Sequence, residues 1–177
     1  SYPLAAQAYI AGLASKDAPT SPDGLLRSAD LLAQRSAYAE VRLLLEAVEK
    51  NFQATMDEKQ RIRVLKSRSR IAQAEDHTDE AVAILKQIIE TNPLDGEALL
   101  LLADHHLKGG TDDAREQAIF YLERAIKIST IEADASVRLA QALMSKSARE
   151  TDKMRRMEAL NRSIDLLKRA QSLKPRD

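Results

Sequence analysis

The chain has no cysteine and no tryptophan, and its aromatic content is 3%, from four Tyr and two Phe. Without cysteine there is no disulfide frame, no thiol catalysis and no Cys-bound zinc. Glycine and proline number five each in 177 residues, too few to punctuate a strand-rich fold. Charge of one sign is missing as well. Lys and Arg total 27 and so do Asp and Glu, so no global field draws the chain to nucleic acid or to an anionic membrane. Long apolar runs are absent too: a stretch such as "PLAAQAYIAGLAS" is too short to span a bilayer. No initiator Met and no charged segment precede a signal-type core, so the sequence reads as a processed chain or a part of a longer one. The compartment stays open, either cytoplasmic or, after removal of a signal, periplasmic or exported.

What is present is alanine, leucine and charge. With 44% hydrophobic and 31% charged residues, the chain consists mostly of side chains that lose little on entering a helix, and this predicts an all-α protein. An internal repeat organises it. Four windows superpose: "EVRLLLEAVEKNFQ" from 40, "EAVAILKQIIETNP" from 80, "QAIFYLERAIKIST" from 117 and "RSIDLLKRAQSLKP" from 162. Leu45, Leu85, Leu122 and Leu167 fall in one column, with Val48, Ile88, Ala125 and Ala170 three further on. Val41, Ala81, Ala118 and Ser163 stand four before the leucines. Spacings of four and three make one helical face. A second helical segment precedes each window, and in these segments Ala29, Ser69, Ala103 and Ala140 share a small-residue column suited to close helix packing.

Boundary chemistry agrees with helix pairs. Ser21-Pro22 reads as an N-cap followed by proline at the first helical position. Thr55 with Glu58 fits a capping box, Thr111 follows the Gly109-Gly110 break, Asn92-Pro93 ends a helix and Pro175 closes the last. Nine helices are expected. A single domain over 1–177 would hold an N-terminal segment, 1–20, with a helix at about 4–16, and helix pairs over 22–53, 56–93, 95–130 and 131–175. The stretch between Met144 and Ser163 lacks Gly and Pro, which predicts helix extension rather than a loop.

These units resemble tetratricopeptide repeats. The likeness rests on "GEALLLLADHHLKGG" followed by "QAIFYLERAIKIS", with "NP" closing the preceding unit. It covers about residues 22–175 and departs from the family pattern at its first-helix aromatic, replaced by Leu25, Leu65, Leu99 and Ser136. The resemblance implies a right-handed superhelical solenoid of antiparallel pairs, whose first helices line a concave groove. It implies a non-catalytic scaffold for a protein or peptide, with no cofactor. The alternative is a structural or self-assembly module, its groove filled by another part of the parent chain or by a second copy, as in a homodimer.

One segment stands out: "KQRIRVLKSRSR", residues 59–70, carries six cations and no acid. Lys59, Arg63, Lys66 and Arg70 form one stripe, and the repeat register turns Arg63, Lys66 and Arg70 toward the groove. In the neighbouring units Arg63 aligns with Asp23, Glu97 and Asp134, and Arg70 with Asp30 and Asp104. Helix axes about 8–10 Å apart let such residues pair, so the stripe is expected to be neutralised within the fold. No aromatic interleaves to stack bases, so nucleic acid is not an expected partner. Lys66 shares its column with Leu26, Leu100 and Val137, a lone cation in an apolar row that would suit a ligand carboxylate beside an apolar side chain. Some family members clamp a terminal carboxylate with five polar residues. Here only Lys66 and Arg138 match, while Arg70, Leu101 and Asp134 occupy the other positions, which argues against a clamp. The groove candidates are therefore Lys66, Arg138, Leu26, Leu100 and Val137, with Arg63 and Arg70.

"DHH" at 104–106 does not suggest a metal, since adjacent helical residues diverge by about 100 degrees. His106 shares a column with Leu32, Ala72 and Leu143 and is expected to pack inside with a hydrogen-bond partner, and His77 to face water. No catalytic motif is found. A last helix projecting past the array would expose Met154 and Met157 for association.

Overall fold

Residues 2–13 and 21–173 are described by the structure, a computed structural model, and they form nine α-helices with no strand among them. They are α1 (Tyr2–Gly12), α2 (Asp23–Ala33), α3 (Tyr38–Phe52), α4 (Glu58–Ala74), α5 (Thr78–Thr91), α6 (Gly96–Lys108), α7 (Asp112–Ala125), α8 (Glu132–Ser147) and α9 (Lys153–Leu173). The expected end of the first helix at 14–16, and Pro175 with its neighbours, lie outside the described residues.

The chain divides into two compact units, Ser1–Ile84 and Leu85–Asp177, with the division inside α5. In the first unit α2 packs on α3 and α4, and α1 lies against α3 and α2. Its core joins Leu25, Leu26, Ala29, Val41, Leu44, Leu45, Val48 and Ile71, with Ala6 of α1 buried among them. In the second unit α7 packs between α6 and α8, and α9 lies along α8. Leu99, Leu102, Leu122 and Leu139 are fully buried there. Burial of each such leucine contributes roughly 1.5–3 kcal/mol.

Local chemistry sets the helix ends. Asp57, not Thr55, caps α4: its carboxylate accepts from Gln60 N at 2.8 Å, while Gln60 Oε1 accepts from Asp57 N at 3.1 Å. The capping box therefore lies two residues beyond its expected place, because Asp57 is followed three residues on by Gln60, which also completes the reciprocal pattern. Thr111 caps α7 as expected, accepting from Ala114 N at 3.1 Å, and Ser21 Oγ accepts from Asp23 N at the start of α2. The stretch between Met144 and Ser163 is helical up to Ser147 and again from Lys153, but it breaks between them. Asp152 makes the break: it caps α9 through Met154 N at 2.8 Å and Arg155 N at 3.0 Å, and these donors hold its carboxyl below the usual range.

A shared turn joins first to second helices. Ser36 and Asp76 adopt left-handed backbone at φ 57° and 60°, and Gly110 does so at φ 70°; the three stand at one position of the repeat. Only glycine enters this region without steric cost, about 1–2 kcal/mol for other residues. Ser36→Gly should raise the unfolding free energy by about 0.5–1 kcal/mol, and Gly110→Ala should lower it by about 1 kcal/mol. Urea melts of the two variants check both signs.

Candidate interaction surface

In the cationic stripe of α4, Arg63 is met by an acid of α2, though not by the one in its own column. Arg63 Nε donates to Asp30 Oδ2 at 2.7 Å, whereas Asp23, the aligned residue, accepts from Ser21 Oγ at 2.7 Å and Gln60 Nε2 at 3.1 Å. These two hydrogen bonds, with weaker help from Arg27 and Arg63, keep the Asp23 carboxyl below its ordinary value. Columns mark equivalent places on each helix, but the side chain of Arg63 reaches a residue two turns along α2. On the opposite side of α4, Arg68 pairs with Glu49 of α3. Lys66 and Arg70 are half-buried and engaged as well.

The second unit repeats this device. Arg138 of α8 donates to Asp104 of α6 and to Asp134 one turn earlier in its own helix. Its guanidinium is raised above its usual value, chiefly by the Asp104 hydrogen bond. Two carboxylates on one arginine leave little of its charge for a ligand. Leu100 and Val137 stay partly exposed on α6 and α8.

Leu26 departs from expectation. It is 0% exposed and belongs to the core that includes Ala6, with Ile10 and Leu13 of the N-terminal segment packed against it. The residue aligned with Lys66 in the first helix pair therefore offers no contact surface. Of the expected row, Lys66 lies in the first unit, and Leu100 and Val137 lie in the second.

His106 is a second departure. Its ring stacks on Tyr121 at 5.6 Å between centroids and 19° between planes, and its Nε2 is buried without a hydrogen-bond partner among the described residues. The aromatic face of Tyr121, rather than an acceptor, completes its surroundings. His77 faces water as expected, with Nδ1 3.8 Å from both Glu75 and Glu80. Sequence columns did not reveal the cleft beside it, about 370 Å³ lined by Arg42, Glu46, Arg68 and Glu75 among others. There Arg42 holds Glu75 through both carboxylate oxygens at 2.7 Å.

No protein-family model matches the chain, and no curated protein matches it. Solved structures do. A crystal structure of MamA superposes with a TM-score of 0.64 at 16% identity, over 97% of this chain and 91% of that one. A second crystal structure of the MamA protein gives 0.56 at 18% identity, over 86% and 78%. At such identities the likeness concerns the fold: an all-α, tetratricopeptide-like solenoid of helix pairs. No helix among the described residues is long and apolar enough to cross a membrane.

Burial, with smaller contributions from His105 and Lys86, holds His106 below its ordinary value. A histidine depressed in this way lends its full stability above the unfolded value of about 6.5 and loses it as pH falls, because the unfolded chain then binds the proton more readily. Wild-type stability should fall between about pH 7.5 and pH 5, and His106→Leu should flatten that fall. Melts of both proteins across the range measure it.

Proposed function

We propose that the chain is a non-catalytic interaction scaffold that holds a segment of a partner protein against its first helices. The tetratricopeptide-like fold supports an interaction or assembly role, and the faces of α6 and α8 suggest how contact is made. Leu100 and Val137 are only partly buried, on helices whose opposite faces hold Leu99, Leu102, Ala135 and Leu139 at 0% exposure. That contrast carries the reading: an apolar strip left open beside a well-packed core, bordered by charges already neutralised in pairs. In the second unit Leu100 and Val137 are then the contact residues, with Arg138 a rigid edge of fixed geometry; in the first unit Lys66 is the contact residue, with Arg63 as its edge. A partner gains from apolar burial more than from ion pairs, since exposed pairs are worth only about 0–1 kcal/mol.

Selection of binding segments from a displayed peptide library, followed by titration calorimetry, tests this. Val137→Glu should weaken the selected peptide by about tenfold or more, while His77→Ala should leave it unchanged. A library that yields no binder, or binding indifferent to Val137→Glu, would contradict the proposal.

A further inference from the structure

We propose that the outward face of α9 is a docking site for an acidic amphipathic helix of a partner protein, separate from the first-helix strip described above. The internal repeat provides the template. On α7, Ile119 and Leu122 are buried, Leu122 at 0% exposure, and α7 is covered by α6 on one side and α8 on the other. Their counterparts on α9 are Ile164 and Leu167, which stay 50% and 40% exposed. Among the described residues α9 has α8 alongside it but no second helix in the place that α8 takes on α7.

The open face is helix-shaped. Met157, Leu160, Ile164 and Leu167 follow spacings of three, four and three, which at 100° per residue makes a narrow stripe one ridge wide. Met154, one turn before Met157, is exposed as well, and methionine adapts to an incoming surface. A stripe this narrow suits the apolar ridge of another helix better than a lipid surface, which favours a broad apolar face.

Charge identifies the visitor. Arg162 and Arg169 are already paired, with Glu123 and Glu132. Lys153, Arg156 and Lys168 are exposed, and among the described residues they join no ion pair. On the helical projection Lys153 continues the stripe at its start, and Arg156 and Lys168 flank it on either side. The internal template is itself edged by charge, through Lys146 and Glu116 at 2.6 Å. Here the cations stand on α9, so the complementary helix is acidic beside its apolar ridge.

The test uses a dye-labelled, end-capped peptide with the sequence of α8, 16 residues, carrying Arg138→Glu and Lys146→Glu, and a control peptide of unaltered sequence. Fluorescence anisotropy should show the acidic peptide binding about tenfold tighter than the control, and losing affinity as salt rises. Leu167→Gln and Lys168→Glu in the protein should each weaken it about tenfold with melting temperature unchanged, and Ile164→Gln repeats the check should either variant fold poorly. Equal binding of both peptides, or indifference to these substitutions, overturns the proposal. Binding of phosphatidylserine vesicles through Leu167 in place of the peptide would assign the face to lipid. A concentration-dependent dimer dissolved by Leu167→Gln would assign it to a second copy, and either result also overturns the acidic-helix proposal.

Discussion

The close crossing of first and second helices is the constraint on which the rest depends. Ala29, Ser69, Ala103 and Ala140 on the first helices, and Val41, Ala81, Ala118 and Ser163 on the second, are all at most 1% exposed. Small side chains let two backbones approach, and proteins pack such contacts to crystalline density. The two serines show how close the approach is. Ser69 donates to the carbonyl of Ala81 at 3.4 Å, and Ser163 Oγ, which donates to Ala159 O of its own helix at 2.7 Å, lies 3.2 Å from the carbonyl of Ala140. The donors stand on opposite members of the pair, yet each reaches the aligned residue of the other helix.

Once that crossing is set, the remaining surfaces follow. A first helix buries one face against its own partner and shows another, where Leu100, Val137 and the paired arginines lie. The pairs Arg63 with Asp30 and Arg138 with Asp104 add little stability in partly exposed settings. Their effect is on register: an arginine fork accepts a narrow set of carboxylate positions, so neighbouring helices are held in one alignment. A second helix buries two faces where another helix follows it, as α7 does, and one where α9 stands.

The sequence made the helices and the small-residue columns legible because each depends on periodicity, and every residue of the two small columns proved buried; the leucine column held at Leu45, Leu85 and Leu122 but not at Leu167, where the adjacent Leu166 turns inward instead. It did less well where the outcome depends on side-chain reach. Arg63 found Asp30 rather than its column-mate Asp23, since a long side chain spans two turns and Asp23 already had Ser21 and Gln60. Leu26 was misplaced because its burial depends on α1, a helix outside the repeat, whose Ala6 joins that core. His106 stacks on Tyr121 and its Nε2 lacks the expected partner among the described residues, because ring stacking leaves no trace in a pattern of apolar columns. Choice among nearby caps was equally opaque: Thr55 with Glu58 and Asp57 with Gln60 both fit a capping box, and the chain takes the second.

The most direct measurement is the unfolding free energy of Ala103→Leu, by urea denaturation against wild type. Ala103 is fully buried at the α6–α7 crossing, so three added carbons have to push the helices apart. The account predicts a loss of about 1–3 kcal/mol or more. A change smaller than about 0.5 kcal/mol, within the range of surface substitutions, would mean that the helices do not depend on this close approach.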